Sequence, residues 1–289
     1  MRGPRRPTLM RNSDNAPKRT EGTLGSSFSY EHRILETLSA IDHFCEAEQI
    51  PYAVFGGSGV AAYIGHLPRK IHDVDLLALD ADIPRLDRFL RKRQFARANT
   101  YKSRKAHFLK YSLENHLYQQ VVTIFPGKFV LLNIADPGLR PLEEFDFRES
   151  ICSSKKRDIK TLRTTGDAGA SVRVLRIEDL LISKLWPVIE PTTVHDSFYL
   201  LSTVIAPGAV EFDWDYFCTR LHSTTAIKKL CLDTFSELIE LYPRSVWSRG
   251  FGDRSAFGNT IHKLGEAIRD AMRPAGESAA SLFQSLLER

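Results

Sequence analysis

The chain has 289 residues, 43% of them hydrophobic and 26% charged, which is enough apolar material for one large folded unit or two modest ones. Its net charge of +5 is gathered at the start: residues 1–28 hold six Lys/Arg against two acids, leaving +1 for the rest. No apolar run approaches the ~20 residues of a membrane span, which argues against a membrane protein.

Residues 1–28 show almost no apolar periodicity and lack the apolar stretch of a secretory signal, so a disordered basic tail is expected there. The four cysteines, Cys45, Cys152, Cys218 and Cys231, are scattered without metal-ligand spacing. Free thiols in a reducing cytoplasm are the expectation.

Glu31 to Gln49 has the three- and four-residue apolar spacing of an amphipathic helix, with Ile34, Leu35, Leu38, Ile41 and Phe44 inward. Tyr52 to Phe55 reads as a buried strand, broken by Gly56 and Gly57. Ser58 then opens a helical stretch that stops at Gly65. The next strand carries Asp73 and Asp75 and continues to Leu79; Ile83 to Arg93 reads as a helix. Strands are predicted over 107–113, 121–125 and 129–136, then an irregular crossing over 141–170 with a strand near 158–162. Helices are predicted for 194–205, 213–222, 224–242 and 259–288.

A strand, a glycine turn, a helix start and a carboxylate pair on the following strand make a phosphate seat beside a metal seat. Free N–H groups at a helix start attract phosphate. Asp73 and Asp75 are two apart, so on a strand both leave one face. Two aspartates on one face repel, and a hard cation such as Mg2+ or Mn2+ removes the conflict while binding substrate phosphates; two such ions would polarise the α-phosphate and stabilise both the attacking and the leaving oxygen. Ser58 could cap the helix or donate to a β- or γ-phosphate; both readings stand. Lys184 falls in the middle of the apolar helix face formed by Ile177, Leu180, Leu181 and Leu185. Its ammonium must reach water or meet an anion. Asp196 opens a helix, where an acid can simply complement the dipole. His195 has no partner at zinc-ligand spacing.

Phe55-Gly56-Gly57-Ser58, then Arg69, then Asp73-Val74-Asp75-Leu76-Leu77 resembles the core of the nucleotidyltransferase superfamily of DNA polymerase β-type fold. The Arg four residues before the first Asp is most similar to the AbiEii/AbiGii toxin branch. The stretch 171–185, with Glu178-Asp179-Leu180 and Lys184-Leu185, resembles a second block of that branch. Lincosamide and aminoglycoside nucleotidyltransferases look similar over the first stretch. The likeness covers roughly residues 50 to 205, and Ile71 departs from it where the branch usually has Thr.

The resemblance implies an NTP substrate, a phosphate contact from Lys184 and perhaps Arg69, and an active-site role for Asp196. It further implies a toxin of a type IV toxin–antitoxin system, with tRNA as acceptor and a cognate antitoxin as partner. Such enzymes usually carry a third carboxylate on a later strand. On the run Phe129 to Asp136, Asn133 takes that position, and an amide cannot act as a base. Asp136 and Glu114 are the other candidates.

Two basic clusters could hold a phosphate backbone. From Arg85 to Lys110 there are ten Lys/Arg against one acid, Asp87; the second cluster is Lys155, Lys156, Arg157, Lys160 and Arg163. Charge runs are also ordinary solvated faces.

The expectation is an α+β nucleotidyltransferase with a mixed sheet and flanking helices over residues 29–190 and a C-terminal helical domain over 191–289. It would move an NMP, from ATP or another NTP, to an acceptor hydroxyl, most readily a tRNA 3′ end. An antibiotic, a protein side chain, or a catalytically silent nucleotide- or RNA-binding module are the alternatives.

Overall fold

The computed structural model describes residues 23–97, 109–115, 118–130, 144–160, 169–185, 191–222 and 254–272. A helix α1 (Thr23–Ala47) leads into β1 (Tyr52–Phe55), α2 (Gly56–Ile64) and β2 (Asp73–Ala78). There follow α3 (Ile83–Lys92), β3 (Ala96–Arg97), β4 (Leu109–Asn115) and β5 (Tyr118–Pro126). A small ribbon of β6 (Lys128–Val130) and β7 (Glu144–Asp146) precedes α4 (Arg148–Cys152), β8 (Lys155–Lys160) and β9 (Gly169–Val174). The remaining elements are helical: α5 (Ile177–Leu185), α6 (Pro191–Tyr199) running on into a π-helical turn (Leu200–Ile205), α7 (Trp214–His222) and α8 (Arg254–Met272).

Seven strands form one mixed sheet in the order β3-β4-β5-β2-β1-β9-β8. β1 runs antiparallel to β2 and parallel to β9, while β2 runs parallel to β5. This is the mixed sheet with flanking helices expected from the sequence. α1 begins at Thr23, inside the segment 1–28 read as a disordered tail. Leu24 and Phe28, four apart, extend the apolar spacing of the helix toward its start.

One face of the sheet is closed by α1 and α3. Gln120 donates to Thr37 on α1 at 2.7 Å, and the Tyr52 hydroxyl donates to Asp42 at 2.7 Å. Tyr111 donates to Asp87 on α3 at 2.6 Å, and Phe44 stacks on Phe89 with centroids 4.2 Å apart. Tyr52, Val54, Val74, Leu76, Tyr111 and Val122 are fully buried beneath these helices. Each such apolar side chain stabilises the fold by ~1.5–3 kcal/mol. The alternation of the strands therefore sends Asp73 and Asp75, the residues between, to the other face.

Of the strand read over 129–136, the structure describes Phe129 and Val130. They lie in β6, which among the described residues pairs with β7, outside the main sheet. Pro126-Gly127 turns the chain out of β5 there, and the ladder is not continued. Asn133 and Asp136 lie outside the described residues, as does the helix read over 224–242.

The polar residues of α5 and α7 tie those helices together. Asp179 is fully buried and accepts from the Tyr216 hydroxyl at 2.9 Å and from Arg220 Nε at 3.0 Å. Glu178 accepts from the Asp213 backbone N–H at 2.7 Å. These bonds fix α5, the helix that carries Lys184, against the helices after it.

Candidate active site

The wall of the site is the junction of β1 and α2. Phe55 stands extended at the helix start without a side-chain cap, and Gly56 follows at φ 63°, where a Cβ is disfavoured. A Cβ on Gly56 would lie 2.2 Å from Asp75 Oδ2, so the carboxylate rests directly on the bare backbone of the helix start. A Cβ on Gly57 would lie 3.0 Å from Arg69 Nη2. Gly56 and Gly57 thus let an acid and a guanidinium close on the first turn of α2, whose N–H groups have no partner within the helix.

Ser58 does not occupy the N-cap. It is the third residue of α2, fully buried, and its hydroxyl donates to the Asp73 backbone carbonyl at 3.4 Å. Its side chain ties α2 to β2. Gly59 is set by packing: a Cβ there would meet Leu180 at 3.0 Å, so α2 and α5 touch closely.

Asp73 and Asp75 both lie on β2, Asp73 exposed and Asp75 half-buried. Burial, with the Asp73 charge second, pushes the Asp75 carboxyl up to about 7; the charges of Lys184 and Lys110 and a hydrogen bond from Thr123 pull the other way. A carboxyl raised by burial and by a neighbouring carboxylate is one whose charged form a nearby cation would favour. Two hard oxygen donors on one strand, beside a helix start, suit Mg2+ or Mn2+. Among the described residues no group of three or more His, Cys, Asp or Glu gathers as a metal cage.

Lys184 and Asp196 meet. Lys184, 9% exposed, places Nζ 2.7 Å from Asp196 Oδ2. Arg69 reaches the same carboxylate through two bonds, Nε to Oδ1 at 2.9 Å and Nη2 to Oδ2 at 2.8 Å. Burial of Asp196 acts to raise its carboxyl, but the hydrogen bonds and charges of Arg69 and Lys184 outweigh it and hold the group below the usual carboxylate range. An acid gripped in this way is a fixed anion rather than a proton acceptor. His195, next to it, is exposed.

The structure therefore brings Gly56, Gly57, Arg69, Asp75, Lys184 and Asp196 into one connected cluster, with Ser58 behind it and Asp73 at its open edge. Two further residues belong to it that the sequence reading did not single out. Thr123 sits beside Asp75 in register and bonds to it, and Lys110 acts on Asp75 electrostatically. Thr123 has no local signal, since only the pairing of β2 with β5 reveals it. Lys110 was visible only as the last member of a basic run. Glu114 lies on β4 opposite Gln119, beyond the row that holds Asp73.

Some members of the basic clusters are internally paired. Arg85 bonds Glu48 and Asp82, and Arg91 bonds Asp87. Lys156 lies 3.2 Å from Asp42 and 3.3 Å from Glu46, while Arg157 stacks over the Tyr63 ring at 4.1 Å. No helix among the described residues is long and apolar enough to cross a membrane.

No family model matches the sequence, and no curated protein matches it. Among solved structures the chain is similar to an antigenic nucleotidyltransferase-like protein from Paracoccidioides brasiliensis, at 15% identity and a TM-score of 0.42, covering 80% of this chain and 98% of that one. It is similar to a lincomycin-bound lincosamide antibiotic adenylyltransferase at 16% identity and a TM-score of 0.39, covering 64% and 98%. It is also similar to the antibiotic-resistance factor ANT(2″)-Ia at 12% identity and a TM-score of 0.38, covering 73% and 96%. At these values nothing about residues or chemistry passes from those proteins to this chain; the site itself has to supply the function.

Proposed function

We propose that the protein is a metal-dependent nucleotidyltransferase that moves an NMP from an NTP to an acceptor hydroxyl. One observation carries the reading: the Asp75 carboxylate lies against Gly56, so an anion-binding helix start and a carboxylate pair share one wall. Asp73 and Asp75 would hold Mg2+ or Mn2+, which supplies positive charge against the phosphates and orients them for in-line attack. The first turn of α2 binds triphosphate oxygens through its N–H groups. Lys184, fixed by Asp196, adds a positive charge next to Asp75, and Arg69 closes the α2 side. The acceptor oxygen forms a bond to the α-phosphorus, and the bond from that phosphorus to the bridging oxygen breaks. Pyrophosphate leaves with the electron pair, and the hydroxyl proton passes to water. Catalysis comes from positioning and charge neutralisation.

For the acceptor we propose a tRNA 3′ end, in a toxin held in check by an antitoxin, on the strength of the motif resemblance described above. A small hydroxylated acceptor such as an antibiotic is the second reading. It is favoured by the internal pairing of Arg85, Arg91 and Lys156, which withdraws those cations from a phosphate backbone.

The test is label transfer. The protein with Mg2+ is incubated with each α-labelled NTP and total tRNA, beside an Asp73→Ala variant. Asp73-dependent label on RNA is the expected result. Undiminished transfer by Asp73→Ala sinks the metal assignment. Label on neither RNA nor protein moves the acceptor to a small molecule or leaves a catalytically silent fold.

A further inference from the structure

The strand register defines what stands on each side of the carboxylate pair. Asp75 pairs with Phe55 on β1 and with Thr123 on β5, and Thr123 pairs with Lys110 on β4. Asp73 pairs with Val121, and Val121 with Ser112. The row through Asp75 thus reads Phe55, Asp75, Thr123, Lys110, and the row through Asp73 reads Asp73, Val121, Ser112. No acid stands on the strand next to either aspartate within these rows. Register partners share a face, so Lys110 is on the same side as Asp75. The opposite orientation of its neighbour Tyr111, which bonds Asp87 beneath the sheet, agrees. With strands ~4.8 Å apart, Lys110 starts about 10 Å from Asp75, one strand beyond Thr123. Its flexible four-carbon stem can carry the ammonium back over the small Thr123 side chain. Phe55 and Phe125, ring centroids 5.0 Å apart, are the aromatic wall on that face.

We propose that Lys110 is a substrate-binding residue of this site: its ammonium meets nucleotide phosphate oxygens on the β5 side of the pair, where the row continues through Thr123 to Lys110. With no acid beside the pair in the described rows, a single divalent ion binds there with the nucleotide. This rests on the nucleotidyl-transfer reading above. An ammonium in place of a carboxylate changes the bookkeeping of charge. Three acids need two divalent ions to turn the site positive toward phosphate, whereas two acids with one ion, Lys110 and Lys184 reach the same sign.

The experiment counts Mn2+ bound per full-length chain by electron paramagnetic resonance, with a non-hydrolysable α,β-methylene analogue of ATP as the probe. One Mn2+ per chain is expected in the wild type. Lys110→Ala should keep that count and lose about tenfold or more in analogue affinity, the loss of a charge-assisted phosphate contact. Lys110→Arg should restore most of it. Thr123→Asp, which puts an acid beside Asp75, should bind a second Mn2+. Two Mn2+ in the wild type, or unchanged analogue affinity in Lys110→Ala, overturns the proposal. Absence of both Mn2+ and analogue binding in the wild type overturns the nucleotidyl-transfer reading beneath it and is distinguishable from either.

Discussion

Arg69 and Asp196 are joined by two hydrogen bonds of 2.9 and 2.8 Å, although 127 residues separate them in the chain. The pair bolts the loop before β2 to α6, and Lys184 completes it from α5 at 2.7 Å. Asp196 is 1% exposed, so its replacement by Ala leaves two cations facing a buried gap. Asp196→Ala should destabilise the protein by about 3–5 kcal/mol. Arg69→Ala should cost less, because the Arg69 side chain is 26% exposed and Asp196 keeps Lys184. Urea unfolding at pH 7 measures both, and equal losses would contradict the assignment. The sign with pH follows from the lowered carboxyl. Its stabilisation is present above the ordinary Asp value of about 3.9 and is lost as pH falls through that region toward the lower folded value. The difference between wild type and Asp196→Ala should therefore shrink below about pH 4.

Gly56 and Gly65 offer a matched pair of substitutions. Both have positive φ, 63° and 86°, so Ala at either is strained by roughly 1–2 kcal/mol. Only at Gly56 does a Cβ collide with the site, 2.2 Å from Asp75 Oδ2, whereas at Gly65 nothing lies within 4 Å. Gly56→Ala should reduce nucleotidyl transfer by about a hundredfold, while Gly65→Ala loses stability alone. Steady-state rates beside thermal melts separate the two, and equal activity in both variants would remove the close approach from the mechanism.

The local part of the site was legible and the long-range part was not. Phe55-Gly56-Gly57 and Asp73-Val74-Asp75 are each a short run whose chemistry follows from strand alternation and glycine geometry. The anomaly of Lys184 on an apolar face was visible from helical spacing, but its partner was not. That Asp196 accepts from both Lys184 and Arg69 depends on how α6 packs on α5 and α2. Thr123 and Lys110 enter through sheet register, which a single chain's pattern does not encode across strands of different sequence distance. The sheet that the strand at Phe129 joins is illegible for a related reason. An apolar run does not say which sheet it joins, and Pro126-Gly127 redirects β6 into a separate ribbon.

Lys184 serves two carboxylates, binding Asp196 directly and acting on Asp75 through its charge. Lys184→Met preserves the stem and removes only the charge. NTP binding should weaken by about tenfold or more, as expected for a charge-assisted phosphate contact. Calorimetric titration of the NTP reads this directly. Unchanged affinity in a folded Lys184→Met variant would leave the lysine as a strut for Asp196 and nothing more.

Asp75 makes the metal-free protein pH-sensitive in the opposite direction from Asp196. Its carboxyl is raised to about 7, first by burial and then by Asp73. A folded value above the unfolded one means stability is fully present below the ordinary Asp value of about 3.9 and is lost as pH rises toward 7. Asp75→Asn cannot ionise and escapes that loss. In chelator, the Asn variant should gain on the wild type steadily between about pH 4 and pH 7 and hold a constant advantage above. Added Mg2+ should raise the melting temperature of the wild type at pH 8 and leave Asp75→Asn nearly unmoved, because ion binding favours the charged pair. Thermal melts across pH, with and without Mg2+, check both statements. A wild type as stable as Asp75→Asn at pH 8 in chelator would show that ionising Asp75 beside Asp73 costs the fold nothing, and that the pair has no need of a cation.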